Sequence, residues 1–458
     1  MSRHDTRNSA SIHLALSTEA QPAAWEFSGS GRAWSYQPGS GVWSSPSVAS
    51  VGGRALLFVG SYDHDVYALD AATGEQRWQF TTGGRVEATP IVWYDGERTW
   101  VYVASRDRQV YALDAEVGRQ QWTQSVVAFR PTLTEADLPS PCVGRVGDIA
   151  ALFVPYWVAD RSLPASQQEA GVLALEATTG RRLWSVSLGD NRLTAVLCAQ
   201  AVGRPQVFVG SANGNLYALA ADDGRILWQR TELDAVRGVP SLIVGAGGPR
   251  VVFSSKSGVV RSVDAESGAQ QWSYRAGDWV IGSVVGTRVA GREAVLIGSY
   301  DHSLHALDLT TGRSLWRSDV GGAIYSAPAL LAGDDGPVAV VAAWDHFLYG
   351  IDVSSGARRW RRFAGRPQWD VVGLEHSDWA SPVTARIGGT WMVYHGSYDG
   401  VLRGWPLALL AGGASDDRRT NTRFWLSFPL VLVGVGGLAL ALTRRHRRAH
   451  DASTADDE

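Results

Sequence analysis

The sequence predicts an all-β fold, a single eight-bladed β-propeller closed by an N-terminal strand and followed by one C-terminal transmembrane helix. An eleven-residue phrase, Ala68-Leu69-Asp70-Ala71-Ala72-Thr73-Gly74-Glu75-Gln76-Arg77-Trp78 in its first full copy, occurs seven times. The copies close on Trp78, Trp122, Trp184, Trp228, Trp272, Trp316 and Trp360, and a degenerate eighth, Gly29-Ser30-Gly31-Arg32-Ala33-Trp34, lies upstream. From Trp to Trp the interval is 44 residues, except for 62 between Trp122 and Trp184. A fixed period in this range marks a propeller, solenoid or array. The second observation is an incomplete last repeat, and the third is a long uncharged run near the C-terminus.

The phrase has a physical reading. Val66-Tyr67-Ala68-Leu69 alternates as a strand does, residues 70–74 form a turn, and Gln76-Arg77-Trp78-Gln79-Phe80 opens the next strand. Asp and Thr side chains bond nearby backbone amides in such turns, and Gly permits positive φ. Each indole then offers a flat face to a neighbouring sheet. Burying ~150–250 Å² of it at about 25 cal/mol/Å² is worth roughly 4–6 kcal/mol as an upper bound. A lone four-stranded sheet has nowhere to bury such rings, whereas radially stacked sheets do, so eight docking tryptophans predict eight blades.

Closure is predicted at the chain ends of the propeller. The last blade runs from Ser381-Pro382 through Gly396-Ser397-Tyr398-Asp399-Gly400-Val401-Leu402 and has three strands. The segment around Trp34 supplies the missing outer strand and removes an open edge.

The pattern A-x-D-x-x-[ST]-G-x-x-x-W resembles the tryptophan-docking motif of the quinoprotein (PQQ-repeat) β-propellers, over roughly residues 24–407. That superfamily includes PQQ-dependent alcohol dehydrogenases and the propeller lipoprotein of the outer-membrane β-barrel assembly machine. The resemblance implies the fold; it leaves function open between binding scaffold and enzyme. The dehydrogenases carry a vicinal cysteine pair beside the cofactor, and no Cys-Cys occurs here. Nor does any calcium constellation of those enzymes match residue by residue. The resemblance therefore lies nearer the assembly lipoprotein, with no cofactor expected. PQQ with calcium enters only under the alternative of a quinoprotein dehydrogenase-like enzyme with divergent ligands.

Composition agrees with a propeller. Helix-period segments are missing from the repeat region, and the formal net charge of −3 points away from nucleic acid. No P-loop, His-Glu-x-x-His, G-x-S-x-G elbow or G-x-G-x-x-G at a strand–helix junction is present. Catalytic and metal-ligating residues are expected to be none. The two cysteines, Cys142 and Cys198, occupy positions of opposite parity on the inner strands of adjacent blades, which predicts two packed thiols rather than a disulfide.

Residues 1–23 read as a polar, unstructured leader. The longest apolar stretch there, Leu14-Ala15-Leu16, is short of a signal-peptide core. Three explanations stay open: another export route, a different start, or a cytoplasmic propeller.

Insertions place the function. In a blade with strands A to D, the D–A connections and B–C hairpins share one face. The extra residues between Trp122 and Trp184 fall in the D–A connection before Ser140-Pro141 and in the B–C loop near Tyr156 to Ala170; a third insertion, around Trp369 to Asp378, lies in the D–A loop of blade eight. All decorate that face, where a scaffold carries its site. The position nine residues after each Trp, adjusted for insertions, reads Trp43, Glu87, Leu138, Leu193, Arg237, Ile281, Tyr325 and Trp379. These are expected to ring the channel mouth, with Tyr325, Trp379, Trp43 and Glu87 consecutive.

The B–C tips turn aromatic in the same sector, as Tyr300-Asp301-His302, Trp344-Asp345-His346, Tyr398-Asp399-Gly400 and Tyr62-Asp63-His64. Elsewhere they read Arg106-Asp107-Arg108, Ala212-Asn213-Gly214 and Lys256-Ser257-Gly258. The Asp residues suit ordinary turn chemistry. The Tyr, Trp and His side chains are candidates for a protein partner or small ligand, since aromatic faces with polar edges suit sugars, peptides or cations. His64, His302 and His346 stand on separate blades, which argues against a shared metal.

After Trp405-Pro406, residues 408–423 form a linker. Phe424 to Thr443 then runs twenty residues without a charge, which at ~1.5 Å per residue spans a ~30 Å hydrocarbon core. Arg418, Arg419 and Arg423 precede it; Arg444, Arg445, Arg447 and Arg448 follow, before an acidic end within residues 444–458. The arginine balance favours a cytoplasmic C-terminus and an extracytoplasmic propeller. The expected protein is a membrane-tethered binding or assembly scaffold that contacts the bilayer through residues 424–443 and does not contact nucleic acid.

Overall fold

The computed structural model describes residues 32–126, 138–158, 169–189, 192–199, 204–231, 234–333, 336–364, 380–396 and 400–411, together with the strand positions Leu16–Ser17 and Glu26–Phe27. Alternating apolar runs bounded by Asp–Gly turns make the blades. The first comprises strands Ser47–Val51, Arg54–Gly60, Asp65–Asp70 and Gln76–Thr81, each antiparallel to the next. Six further sheets repeat this order along the chain. The eighth holds Val383–Ile387, Thr390–Gly396 and Leu402–Pro406, and its outer strand is Trp34–Tyr36, with Trp34 opposite Gly404 and Tyr36 opposite Leu402. The N-terminal strand therefore completes the last blade, as the incomplete repeat requires, and the chain passes from it into the first blade.

Two short parallel pairings add to this. Glu26–Phe27 lies along Arg386 and Ile387 on the inner strand of blade eight, and Leu16–Ser17 lies along Ile243 and Val244 on the inner strand of blade five. The leader, expected to be unstructured, thus contributes a two-residue strand at Leu16–Ser17.

The core is a ring of seams. Leu57, Val59, Tyr67 and Leu69 of blade one pack with Met392, Tyr394 and Leu402 of blade eight. The other face of blade one, through Phe58, Val66 and Ala68, meets Val101 and Val103 of blade two. The two middle strands of blade one are buried on both faces, so they read as near-continuous apolar runs.

The tryptophans lie where strand D steps onto the next blade. In strands C and D of blade one, Ala68 pairs with Trp78 and Leu69 with Gln76, which leaves Arg77 in a bulge; six other blades repeat it at the same point. A bulge locally re-aims a side chain, here the indole. Trp78 Nε1 donates to the Ala115 carbonyl of blade two at 2.9 Å. Its ring covers Gly118, where φ is +71° and a Cβ would lie 2.6 Å from the indole. Both the left-handed backbone and the ring exclude any side chain there. Trp34, Trp122, Trp184, Trp228, Trp272 and Trp316 make the same bond to the following blade. Trp360 differs. Blade eight has no such turn, and Trp360 packs instead in a cluster with Val393 and with Leu410 of the short helix Leu407–Ala411.

The cysteines correct the sequence reading. Cys142 and Cys198 form a disulfide, with Cα atoms 5.9 Å apart, between the inner strands of blades three and four. Along a single strand opposite parity implies separation, but stacked sheets invert that relation. The face of one sheet that looks forward meets the face of the next that looks back, so opposite parity is what brings equivalent strand positions together.

No helix among the described residues is long and apolar enough to cross a membrane. The predicted span, residues 424–443, lies outside the described residues, as do the linker from 412 onwards and the tail.

Candidate functional site

The B–C tips are built by backbone requirement. His64, Arg108, His302 and His346 have φ of 78°, 73°, 67° and 76°, and Gly214, Gly258 and Gly400 occupy the same place with φ of 85°, 78° and 75°. The third tip residue is thus left-handed in each of these blades. The preceding acid closes the turn. Asp63 accepts the Asp65 amide at 3.0 Å and the Tyr67 hydroxyl at 2.8 Å. Asp107 accepts the Gln109 amide, the Tyr111 hydroxyl and, across the D–A connection, the Gly83 amide at 2.7 Å. Asp345 bonds the Phe347 amide and the Tyr349 hydroxyl.

Blade six replaces the tyrosine by His305, which is 1 % exposed. It lies 3.0 Å from Asp301 and 3.0 Å from the Tyr274 hydroxyl. Burial raises the Asp301 pKa, but the bonds from His305 and the Gly277 amide outweigh it and bring the carboxyl down to about 2. The tip acids are therefore structural, as turn chemistry predicts.

The aromatic candidates separate into two groups. In blades five to seven the rings form a ladder. Lys256 Nζ lies 4.4 Å from the Trp279 ring centre, Trp279 is 5.5 Å from Tyr300, Tyr300 is 5.3 Å from Trp344, and Trp344 is 5.6 Å from Tyr325. Tilted and edge-to-face arrangements are the favoured ones for such rings. Burial raises the Tyr325 pKa, and a hydrogen bond with Trp344 acts against that. The ladder has one well-exposed ring, Trp279, at 39 %.

The second group spans the closure. Trp43 lies 4.7 Å from Tyr62 at a tilt of 31°, Arg85 lies 4.9 Å from the centre of the Tyr62 ring, and Glu87 pairs with Arg106 at 2.9 Å. Burial, then the Glu87 charge beside it, raises the Tyr62 pKa strongly.

Of the predicted ring, Trp43, Leu138 and Leu193 are buried, Glu87 nearly so, and Arg237, Ile281 and Tyr325 half-buried. Trp43 and Tyr325 therefore pack against the B–C tip of the blade they lead into rather than stand free. Trp379, Tyr398 and the acidic and histidine residues of the blade-eight insertion lie outside the described residues. His64 and His302 are exposed and His346 half-buried. Among the described residues no group of three or more His, Cys, Asp or Glu is placed to hold a metal ion.

Sequence reasoning missed Trp279, Lys256, Arg85 and Arg106. Trp279 and Arg85 both stand seven residues after a repeat tryptophan. Reading that column of the D–A connection beside the ninth position would have found them.

The PQQ_2 family model, described as outer membrane protein assembly factor BamB, matches residues 19–153, 168–299 and 256–393. No curated protein matches the chain. Among solved structures, BamB from Moraxella catarrhalis aligns at 17 % identity over 82 % of this chain and 99 % of its own, with a TM-score of 0.53. The quinohemoprotein alcohol dehydrogenase ADHIIG from Pseudomonas putida HK5 aligns at 14 % identity over 84 % and 76 %, with a TM-score of 0.58. Sqt1 from Saccharomyces cerevisiae aligns at 11 % identity over 82 % and 99 %, with a TM-score of 0.59. At these identities the structures share the fold alone.

Proposed function

This chain belongs to the PQQ_2 family, that of the outer membrane protein assembly factor BamB, and on that premise we propose that it is a binding scaffold, tethered to a membrane by residues 424–443, which captures a protein partner on the face formed by its D–A connections and B–C tips. The observation that carries the reading is the aromatic ladder. The fold's repeated turn does not require Trp279, yet its indole is exposed on that face, backed by Tyr300 and flanked by Lys256. An exposed ring held rigid by neighbours is the usual form of a protein-binding hot spot.

The enzyme alternative finds less support. A quinoprotein site of the resembled type uses vicinal cysteines, whereas here both cysteines are joined to each other across a blade seam.

The test uses full-length protein in its own membranes, cross-linked to recover the partner, followed by titration of the purified pair. Trp279→Ala is expected to weaken binding by about 30-fold or more, as aromatic hot spots do. Its melting temperature should stay near that of the parent. Ile226→Ala, at an exposed apolar position on the outer strand of blade four, serves as control. Equal binding by the Trp279 variant and the parent removes the ladder from the interface. A saturable quinone chromophore on addition of PQQ and Ca²⁺ transfers the chain to the enzyme class.

A further inference from the structure

The proposed binding face leaves the rims of the blades unused, and one rim differs from the others. The outer strand of blade seven, Arg358–Phe363, reads Arg-Arg-Trp-Arg-Arg-Phe, whereas no other outer strand holds more than one basic residue. Arg359 is spent on Asp352. Arg358 and Arg361 are exposed and Arg362 is half-buried. Arg361 lies 5.1 Å from the centre of the Phe347 ring and Arg358 6.0 Å from that of Tyr349, so aromatic faces carry both guanidinium groups. Phe363 ends the strand at 50 % exposure, more than any other aromatic ring among the described residues, and packs edge-on against Phe347 at 5.8 Å. Beside them, the helix Leu407–Ala411 seats Leu410 against Trp360 and leaves Leu409 exposed.

Cations interleaved with apolar side chains suit a bilayer surface. Guanidinium groups take phosphate oxygens in pairs, while aromatic and leucine side chains enter the headgroup layer. An acidic protein could meet the same charges; position favours lipid. The described chain ends on the helix that carries Leu409, and twelve residues, 412–423, separate it from the uncharged run 424–443. Fully extended they reach about 40 Å, so a bilayer that held that run would be within reach of this rim. Arg418, Arg419 and Arg423 add positive charge to the same stretch. We infer that the outer strand of blade seven, with Leu409, docks on a membrane surface rich in anionic phospholipid and holds the propeller edge-on to it. The argument from position rests on the tether proposed above; the charges and rings of the strand do not.

The experiment reconstitutes the full chain into vesicles of phosphatidylcholine, or of equal parts phosphatidylcholine and phosphatidylglycerol, with a nitroxide quencher on the lipid headgroups. A bimane label is placed on Ala357→Cys, the exposed position before the strand, or on Ala269→Cys, its counterpart in blade five. The native cysteines are bonded to each other, so the new thiol takes the label. Quenching at 357 is expected to be several-fold stronger in the anionic vesicles, and weak at 269 in both. Arg358→Gln/Arg361→Gln/Arg362→Gln should return 357 to the phosphatidylcholine level, since three arginines near an anionic surface change partitioning by roughly 100-fold. Should that variant fail to fold, salt decides on the parent chain: at about 1 M, where the screening length is about 3 Å, the quenching is expected to disappear. Equal quenching at both positions, or quenching at 357 that survives both the substitutions and the salt, overturns the docking. So does an unquenched label at 357 in anionic vesicles, and a cross-link from that position to a protein in native membranes would then assign the strand to an acidic partner. An alkaline carbonate wash reads the tether separately. Chain stripped from the vesicles refutes the span, while the quenching measured before the wash decides the strand.

Discussion

At His302 an ordinary side chain sits on a backbone suited to glycine, with φ of 67°. The left-handed region costs a non-glycine residue roughly 1–2 kcal/mol, and glycine loses part of that gain to its greater freedom in the unfolded chain. His302→Gly is therefore expected to hold or raise stability, by up to about 1 kcal/mol. His302→Val, β-branched at the same φ, should lower it by at least that much. Thermal melts of the two variants check this. A glycine variant that melts clearly lower would mean that the imidazole makes contacts beyond its turn. The same left-handed position is filled by Gly214 and Gly258 in blades four and five and by Arg108 in blade two.

At the scale of elements, the repeats were legible because each one records a local demand. Gly118 must be glycine for backbone and ring together, and Trp78 must be large and flat to reach it. The closing strand was legible as well, since a three-stranded last blade leaves an edge, and Trp34–Tyr36 fills it. What failed was the disulfide. Parity along one strand was read correctly, but the relation between sheets depends on which faces meet, and that is a tertiary fact. A bond closing a 56-residue separation is worth about 4 kcal/mol in the chain-entropy account, so the misreading was not minor.

Closure gives the test at this scale. Deleting residues 24–36 removes the strand, the Trp34 indole bond to the Ala71 carbonyl and the Glu26–Phe27 pairing. Loss of the half-buried Trp34 with its indole hydrogen bond should cost up to about 3 kcal/mol, and the reopened edge adds to it. Deleting residues 1–20 removes, among the described residues, the two-residue pairing with blade five and should cost under about 1 kcal/mol. Equal denaturant midpoints for the two truncations would contradict this account of closure.

For the whole molecule, the ring of seams was predictable and the arrangement of the aromatic candidates only partly so. Tyr300, Trp344 and Tyr325 were singled out from two separate columns of the repeat, and the fold brings them into one ladder. Trp43 was picked by the same logic and is 5 % exposed. Column position places a residue on a face, but its exposure depends on what the neighbouring blade brings against it.

For the membrane tether proposed for residues 424–443, orientation is a property of the whole chain, and two independent features bear on it. Four arginines follow residues 424–443 and three precede them; such an excess is retained on the cytoplasmic side, and the acidic residues beyond contribute little. The Cys142–Cys198 bond calls for the opposite, oxidising side at the propeller. Both are satisfied by one arrangement, with the propeller outside and the tail within. A reporter that folds only after disulfide formation, fused after Glu458, is then expected to be silent, and one that works only in the cytoplasm, fused at the same point, to be active. Replacing Arg444, Arg445, Arg447 and Arg448 together by Asn removes the excess and should bring the first reporter partly to life. If the disulfide-requiring reporter is active on the unaltered chain, the tail is outside. The arginine balance would then have been misread, and a bridged propeller would need both ends of the span on the oxidising side, which a single crossing does not allow.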